Sequence, residues 1–182
     1  MYLMTCTWPD LAFPLSVLSR FVATGRHRPV HWKAVVRVAK YLVTTSGMGL
    51  VLGGTQPVVL TGHYDSSYAD DVETQRSTQG YCFSLGAGAM SWRSTRSSSV
   101  TSSSAEAEIY AGAMAAQELR WVKHIDVRYF LLRELQRRCH ARLDFVASQA
   151  NTADVFTKAL APGDHHRFCV QVELVDAGVR LL

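Results

Sequence analysis

Val58-Val59-Leu60-Thr61-Gly62-His63-Tyr64-Asp65 decides how this chain is read. It is a short apolar run rich in β-branched residues, with Pro57 before it and a polar stretch after it. Those features predict a strand. Side chains alternate along a strand, so Val58, Leu60 and Gly62 face one way and Val59, Thr61 and His63 the other. The expected strand ends on a carboxylate, Asp65. A rigid apolar element that delivers one Asp into solvent can plant a metal ligand. Asp is also a turn former, so the same residue reads as the start of an Asx turn.

The flanking sequence extends the pattern. Residues 66–78 are polar and read as a loop. Gly80 to Leu85 predicts a second strand, Gly86-Ala87-Gly88 a hairpin turn and Ala89 to Arg93 a third strand, which makes an antiparallel meander. On the other side, Leu50-Val51-Leu52 predicts a small edge strand ended by Gly53-Gly54. From Ser91 to Ser104, eight of fourteen residues are serine. Composition alone would make this a linker. Yet Ser103-Ser104-Ala105-Glu106 fits a capping box, so a helix starts here. Glu108, Ala111, Ala115, Leu119 and Val122 share one face of it. Glu106 lies about 200° away around the axis and should be solvated. Helix geometry therefore selects Glu108 as the carboxylate able to meet Asp65. A first-turn Glu is also favoured by the macrodipole alone.

Helical character then continues to Arg138 without Gly or Pro, and a single helix from Ser104 to about Cys139 is long for a compact domain. Arg142 to Ala147 predicts a final strand. Asn151 to Leu160 predicts a short capped helix with Asp154 in its first turn. The last twenty residues carry no clear signal.

The front of the chain differs. Leu11 to Val22 predicts a helix disturbed early by Pro14. Gly25 closes it, and Arg26-His27-Arg28-Pro29 forms a basic turn. A second helix is expected from about Val30 to Thr44, with Trp32, Val35, Val36, Ala39, Leu42 and Val43 as its buried stripe and Lys33, Arg37 and Lys40 largely elsewhere. Residues 1–60 hold six Lys/Arg and one acid. Residues 61–182 hold the other thirteen basic and all fourteen remaining acidic residues. So the net charge of +4 comes from a basic front. A localised basic face suits a phosphate backbone, and a solvated helix surface explains it as well.

Composition narrows the class. Of the 182 residues 48% are hydrophobic and 19% charged, which suits a globular core rather than a disordered chain. No apolar run reaches the length of a membrane span, and no basic leader followed by an apolar core marks a secretory signal. Cys6, Cys82, Cys139 and Cys169 are scattered, which predicts reduced thiols in an intracellular protein. His165-His166 with Cys169 hints at zinc, but no second pair completes four ligands.

Asp65, Glu108 and Asp154 thus stand on three separate elements. Gathered carboxylates repel one another unless a cation neutralises them. Hard oxygen ligands suit Mg²⁺ or Mn²⁺. A two-metal site would let one ion ready a water while the other stabilises the leaving oxygen of a phosphodiester.

The strings in this order carry a resemblance. TCTWPDLAFPLSVLSRFV and HWKAVVRVAKYL resemble the end of the reverse transcriptase of copia-type retrotransposon Pol polyproteins. GHYDSSYADD, QRSTQGYCFSLG and MSWRSTRSSSVTSSSAEAE resemble the first three strands and first helix of the ribonuclease H domain that follows it, and KHIDVRYFLLRE and ANTADVFTKAL its later part. The resemblance implies an α/β fold of the α+β type, with a mixed, ribonuclease H-like sheet. Residues 1–46 would be a helical tail of the polymerase, 47–162 the nuclease-like domain and 163–182 a C-terminal tail. It implies hydrolysis of the RNA strand of RNA–DNA hybrids with Mg²⁺ or Mn²⁺. Asp65 resembles the first catalytic acid and metal ligand, Glu108 the second and Asp154 the last. Arg93 and Arg96 with the Ser97–Ser99 run are expected to touch the hybrid backbone, and Arg28, Lys33, Arg37 and Lys40 to bind nucleic acid. Asp70 and Asp71 receive no role.

The departures bear on activity. The family places a central strand with a third acid, then a further helix, before the KHIDVRY-like string. Here Glu118-Leu119-Arg120-Trp121-Val122 runs directly into Lys123-His124-Ile125-Asp126. The strand, its Asp and its helix are missing, which accounts for the overlong helix: two helices are joined near residues 122–123. Asp126 sits mid-helix and does not replace the lost acid. Trp8 also stands where the family usually has a basic residue. A sheet without its central strand must pair Arg142–Ala147 beside the organising strand or leave backbone groups unpaired. We therefore expect a degenerate nuclease with little or no activity. The alternative is a non-catalytic, salt-sensitive nucleic-acid-binding fragment.

Overall fold

The computed structural model describes residues 2–23, 25–52, 59–86, 88–128 and 144–176. Helices α1 (Tyr2–Cys6), α2 (Ala12–Ala23) and α3 (Pro29–Thr44) come first. Strand β1 (Met48–Leu50) follows, then β2 (Leu60–Ser67), β3 (Thr78–Leu85) and β4 (Gly88–Arg96). Helix α4 (Ser104–Arg128), a 3-10 turn (Thr152–Phe156), helix α5 (Pro162–Gln171) and strand β5 (Leu174–Asp176) follow among the described residues. The result is a mixed α/β fold of the α+β kind with two antiparallel sheets. One has the order β2-β3-β4, and the other pairs β1 with β5. No helix among the described residues is long and apolar enough to cross a membrane.

Strand β3 is the spine of the larger sheet, and it is buried on both faces. Tyr81 and Phe83 point toward α4, where Ala115, Met114 and Leu119 meet them together with Leu60 and Tyr64 of β2. Small residues bring α4 close: Ala107 and Ala111 are fully buried. Cys82 faces the other way, into a cluster with Ala12, Ala89, Phe156, Phe168, Cys169, Val172 and Leu174. This second cluster draws on both ends of the sequence.

The start of α4 follows its caps. Ser103 Oγ accepts the Glu106 N–H at 3.2 Å, and the Glu106 carboxylate turns back to the Ser102 N–H at 2.6 Å. The serine run before it is a strand end and a cap, not a linker. Asp70 and Asp71 also have structural work: Asp70 accepts from the N–H and hydroxyl of Thr78, and Asp71 accepts from the Glu73 and Thr74 N–H groups.

Several expectations need correction. Asp65 does not end its strand, because β2 runs two residues further, to Ser67. Its expected first residue, Val58, lies outside the described residues, as do Gly53, Gly54 and Ala87. The apolar stripe of α3 is not buried: α3 has no buried residue, and Trp32 and Val43 are 68% and 75% exposed. The physical reason is a lack of cover. Helix α2 lies alongside, mainly through a stack of Phe21 on His31 with ring centres 3.7 Å apart, and Tyr41 alone of the α3 aromatics meets Trp8, Asp10 and His165, which leaves Trp32 and Val43 uncovered. Residues 144–147 form no strand, whereas 142 and 143 lie outside the described residues. Their place is taken by no other strand, so β2 has a neighbour on one side only among the described residues. Both sheets are antiparallel rather than mixed. Residues 163–176 are more than a tail: Phe168, Val172 and Leu174 are core, and β5 pairs with β1. Helix α4 runs straight through residues 122–123 to Arg128, and its expected continuation to Cys139 falls outside the described residues.

Gly80 of β3 sets how closely the 3-10 turn Thr152–Phe156 can approach. A Cβ there would lie 2.4 Å from the Phe156 Cβ and 3.2 Å from the Phe156 carbonyl carbon. Backbone and a fully buried ring cannot yield cheaply. Gly80→Ala is expected to destabilise the fold by about 1–3 kcal/mol, read from the denaturation midpoint. Gly163→Ala, whose methyl meets nothing within 4 Å, should stay within about 0.5 kcal/mol. An unshifted midpoint in Gly80→Ala would refute this docking.

Candidate metal-dependent nuclease site

Three elements converge at the free edge of β2. Asp65 pairs in register with Gly80. Because Gly80 has no side chain, the 3-10 turn bearing Asp154 lies across this part of the sheet. Thr157, one residue past that turn, donates its hydroxyl to Asp65 Oδ2. Asn151 caps the turn, accepting the Ala153 N–H at 3.0 Å. Its amide nitrogen donates to the Tyr64 carbonyl of β2 at 3.0 Å. From the other side of the sheet, Glu108 in the second turn of α4 accepts the Ser66 N–H at 3.3 Å. The selection of Glu108 over Glu106 from helix geometry agrees with this placement.

Glu108 and Asp154 both feel the charge of Asp65. Burial, then the charge of Asp65, holds the Glu108 carboxyl above its ordinary value of 4.5, and Asp154 adds to the effect. Burial raises Asp154 above 3.8 in the same way, with Asp65 again contributing and Lys158 opposing. Lys158 Nζ lies 2.8 Å from Asp154 Oδ2. The other oxygen, Asp154 Oδ1, is buried without a hydrogen-bond partner. Repelling carboxylates with an orphaned oxygen are what a hard divalent cation would relieve. The fit is partial. The three acids do not draw together as a single group of donor atoms within 4.8 Å of one another, and Lys158 already takes one oxygen.

The expected nucleic-acid contacts divide. Arg28, Lys33, Arg37 and Lys40 are all exposed on or beside α3, and Arg93 is exposed on β4. Arg96 is half-buried and bound to Asp71 at 2.5 Å, with Arg20 Nη1 3.7 Å from the same oxygen. Arg96 thus ties β4 to the loop after β2. Beside it lies a cleft lined by Ser16, Ser19, Arg20, Arg76, Ser97 and Ser98. Reading the sequence missed Asn151 and Thr157 as the residues that position the acids. Asn151 was visible as a cap, but nothing local marks Thr157 as a partner of Asp65.

Comparison with known proteins sets this geometry in a lineage. No family model matches the chain, and no solved structure matches it. The Retrovirus-related Pol polyprotein from transposon TNT 1-94 of Nicotiana tabacum is 30% identical over 94% of the chain. Its counterpart from transposon RE2 of Arabidopsis thaliana is 35% identical over 64%. The chain belongs to the copia-type retrotransposon Pol polyproteins. It spans only 15% of the tobacco Pol polyprotein and 8% of the Arabidopsis one. The tobacco alignment runs over 208 positions, more than the 182 residues of this chain, so that Pol polyprotein has residues here without a counterpart. A further relative, Secreted RxLR effector protein 161 of Plasmopara viticola, is 43% identical over 67% of the chain and is covered over 84% of its own length.

The raised acids of this Pol fragment set a pH dependence. Glu108 and Asp154 bind their protons more tightly folded than unfolded, so protonation favours the fold. That contribution is complete below the unfolded values, near 4, and is lost as pH rises through the raised folded values. Glu108→Gln keeps an acceptor for the Ser66 N–H and removes the repulsion. It is expected to raise Tm at neutral pH by roughly 1–3 °C and to flatten stability above about pH 4. Melting curves across that range check it. A variant that melts lower at every pH would show that the ionised carboxylate is needed on the strand edge.

Proposed function

We propose that Asp65, Glu108 and Asp154 are what is left of the divalent-metal site of a ribonuclease H domain. In this reading the chain is a degenerate nuclease that cleaves RNA–DNA hybrids poorly or not at all. The observation that carries it is the gathering of Glu108 and Asp154 around Asp65 from elements far apart in sequence, where burial and the Asp65 charge both raise their carboxyls.

Mg²⁺ or Mn²⁺ held there would polarise a phosphodiester and ready a water. The protein's share is positional. Thr157 orients Asp65, and the Ser66 N–H orients Glu108. Lys158 competes with a cation for Asp154. Among the described residues no further strand brings a third acid to β2, which lowers both affinity and the accuracy of placement, and rate depends on the latter.

Nucleic-acid binding without cleavage is the second reading, favoured by the exposure of Arg28, Lys33, Arg37 and Lys40. Phosphate contacts of this kind release counterions, so the affinity is salt-dependent.

One assay tests both. The purified chain is incubated with an RNA–DNA hybrid, with Mg²⁺, Mn²⁺ or chelator. Slow or undetectable cleavage is expected, any of it metal-dependent and lost in Asp65→Asn. Cleavage that survives both chelator and Asp65→Asn sinks the site. Hybrid binding is expected to weaken with salt. Replacing Lys33, Arg37 and Lys40 together by Glu should make the logarithmic salt slope shallower by roughly 2–3. An unchanged slope rules out the α3 face.

A further inference from the structure

A second group of metal-ligand residues lies away from the acidic edge. One donor atom each from Asp10, His165 and Cys169 fall within 4.8 Å of one another. Asp10 sits in the 3-10 turn Pro9–Leu11. His165 and Cys169 are four residues apart on α5 and so share a face. His165 Nε2 is 3.8 Å from Asp10 Oδ2, and Cys169 Sγ is 3.8 Å from His165 Nδ1. Tyr41 of α3 donates its hydroxyl to Asp10 Oδ2 and stacks edge-on against His165.

A second observation points to a ligand. The Asp10 side chain is wholly buried, and its other oxygen, Oδ1, has no hydrogen-bond partner. A native fold rarely leaves a carboxylate oxygen buried and unpaired, because the lost hydration is costly. Nothing in the nuclease reading uses this group.

We propose that Asp10, His165 and Cys169 form a binding site for Zn²⁺, or a cation of the same borderline class, that clips the N-terminal turn to α5. One carboxylate oxygen, one imidazole nitrogen and one thiolate sulfur make a mixed donor set that Zn²⁺ accepts and Mg²⁺ does not. One donor atom from each residue lies within 4.8 Å of the others, so closing to the roughly 3.5 Å edge of a tetrahedron with zinc–ligand bonds of 2.0–2.3 Å takes an inward shift of about 1 Å at most. His165 presents a different nitrogen to each neighbour, so its half-exposed ring turns for one nitrogen to bind the ion. The Cys169 thiol proton leaves to solvent as the sulfur coordinates. A water or the Tyr41 hydroxyl completes the shell. The hint in His165-His166-Cys169 is thereby resolved: the exposed His166 is not a ligand, and the missing donor comes from the far end of the chain.

The test uses the full chain and Co²⁺ as the probe. Thiolate ligation gives a charge-transfer band in the near ultraviolet, and Zn²⁺ displaces it. One equivalent should develop the band. Cys169→Ser should abolish it, and Asp10→Asn and His165→Ala should each weaken Zn²⁺ binding by at least about tenfold. His166→Ala and Asp65→Asn should match the unmodified chain, which separates this site from the acidic edge. Zn²⁺ should raise the Tm of the unmodified chain and not that of Cys169→Ser. No band on the unmodified chain, a band that survives Cys169→Ser, or loss of binding in His166→Ala overturns the proposal. The first of these needs no variant to fold.

Discussion

An open strand edge governs this structure. In a β-sheet every edge presents N–H and C=O groups that need partners. Strand β2 has β3 on one side, and among the described residues no strand on the other. The Ser66 N–H and the Tyr64 carbonyl are instead met by Glu108 and Asn151. Side chains from α4 and from the cap of the 3-10 turn do part of what a neighbouring strand would do. This requires α4 to lie close and the 3-10 turn to cross Gly80. Small residues on both elements make that possible.

The same substitution creates an electrostatic conflict. Glu108 holds the strand edge with a carboxylate, and its charge is placed beside Asp65 and Asp154. Burial weakens solvent screening, so an ionised Asp65 makes Glu108 and Asp154 harder to ionise. Lys158 relieves part of this, at Asp154 only. Acidic side chains thus serve as structural ties on the strand edge, and their repulsion offsets part of what those ties contribute.

Local pattern made much of the fold readable. Alternation and β-branching marked β2 and β3, the Gly-rich turn marked the hairpin, and the serine cap marked the start of α4. Helical periodicity distinguished Glu108 from Glu106. What failed was non-local. The apolar stripe of α3 has the period of a buried helix, but burial depends on a partner, and Trp32 and Val43 are left exposed. Residues 144–147 have strand-like composition, yet pairing depends on an edge elsewhere. Strand β5 is three residues long, too short for any periodicity to register. Thr157 and Asp10 acquire their partners only through tertiary packing.

The core around Cys82 joins Ala12 from the beginning of the chain to Phe168, Val172 and Leu174 near its end. During synthesis on a ribosome, which proceeds from the N-terminus, this layer stays unfinished until residues 168–174 have emerged. The exposed face of the nascent β3–β4 hairpin is open to other chains until then. Such long-range closure is slow, because loop entropy is lost before the contacts that reward it form. The layer that Ala12 begins is thus closed only by residues more than 150 positions later.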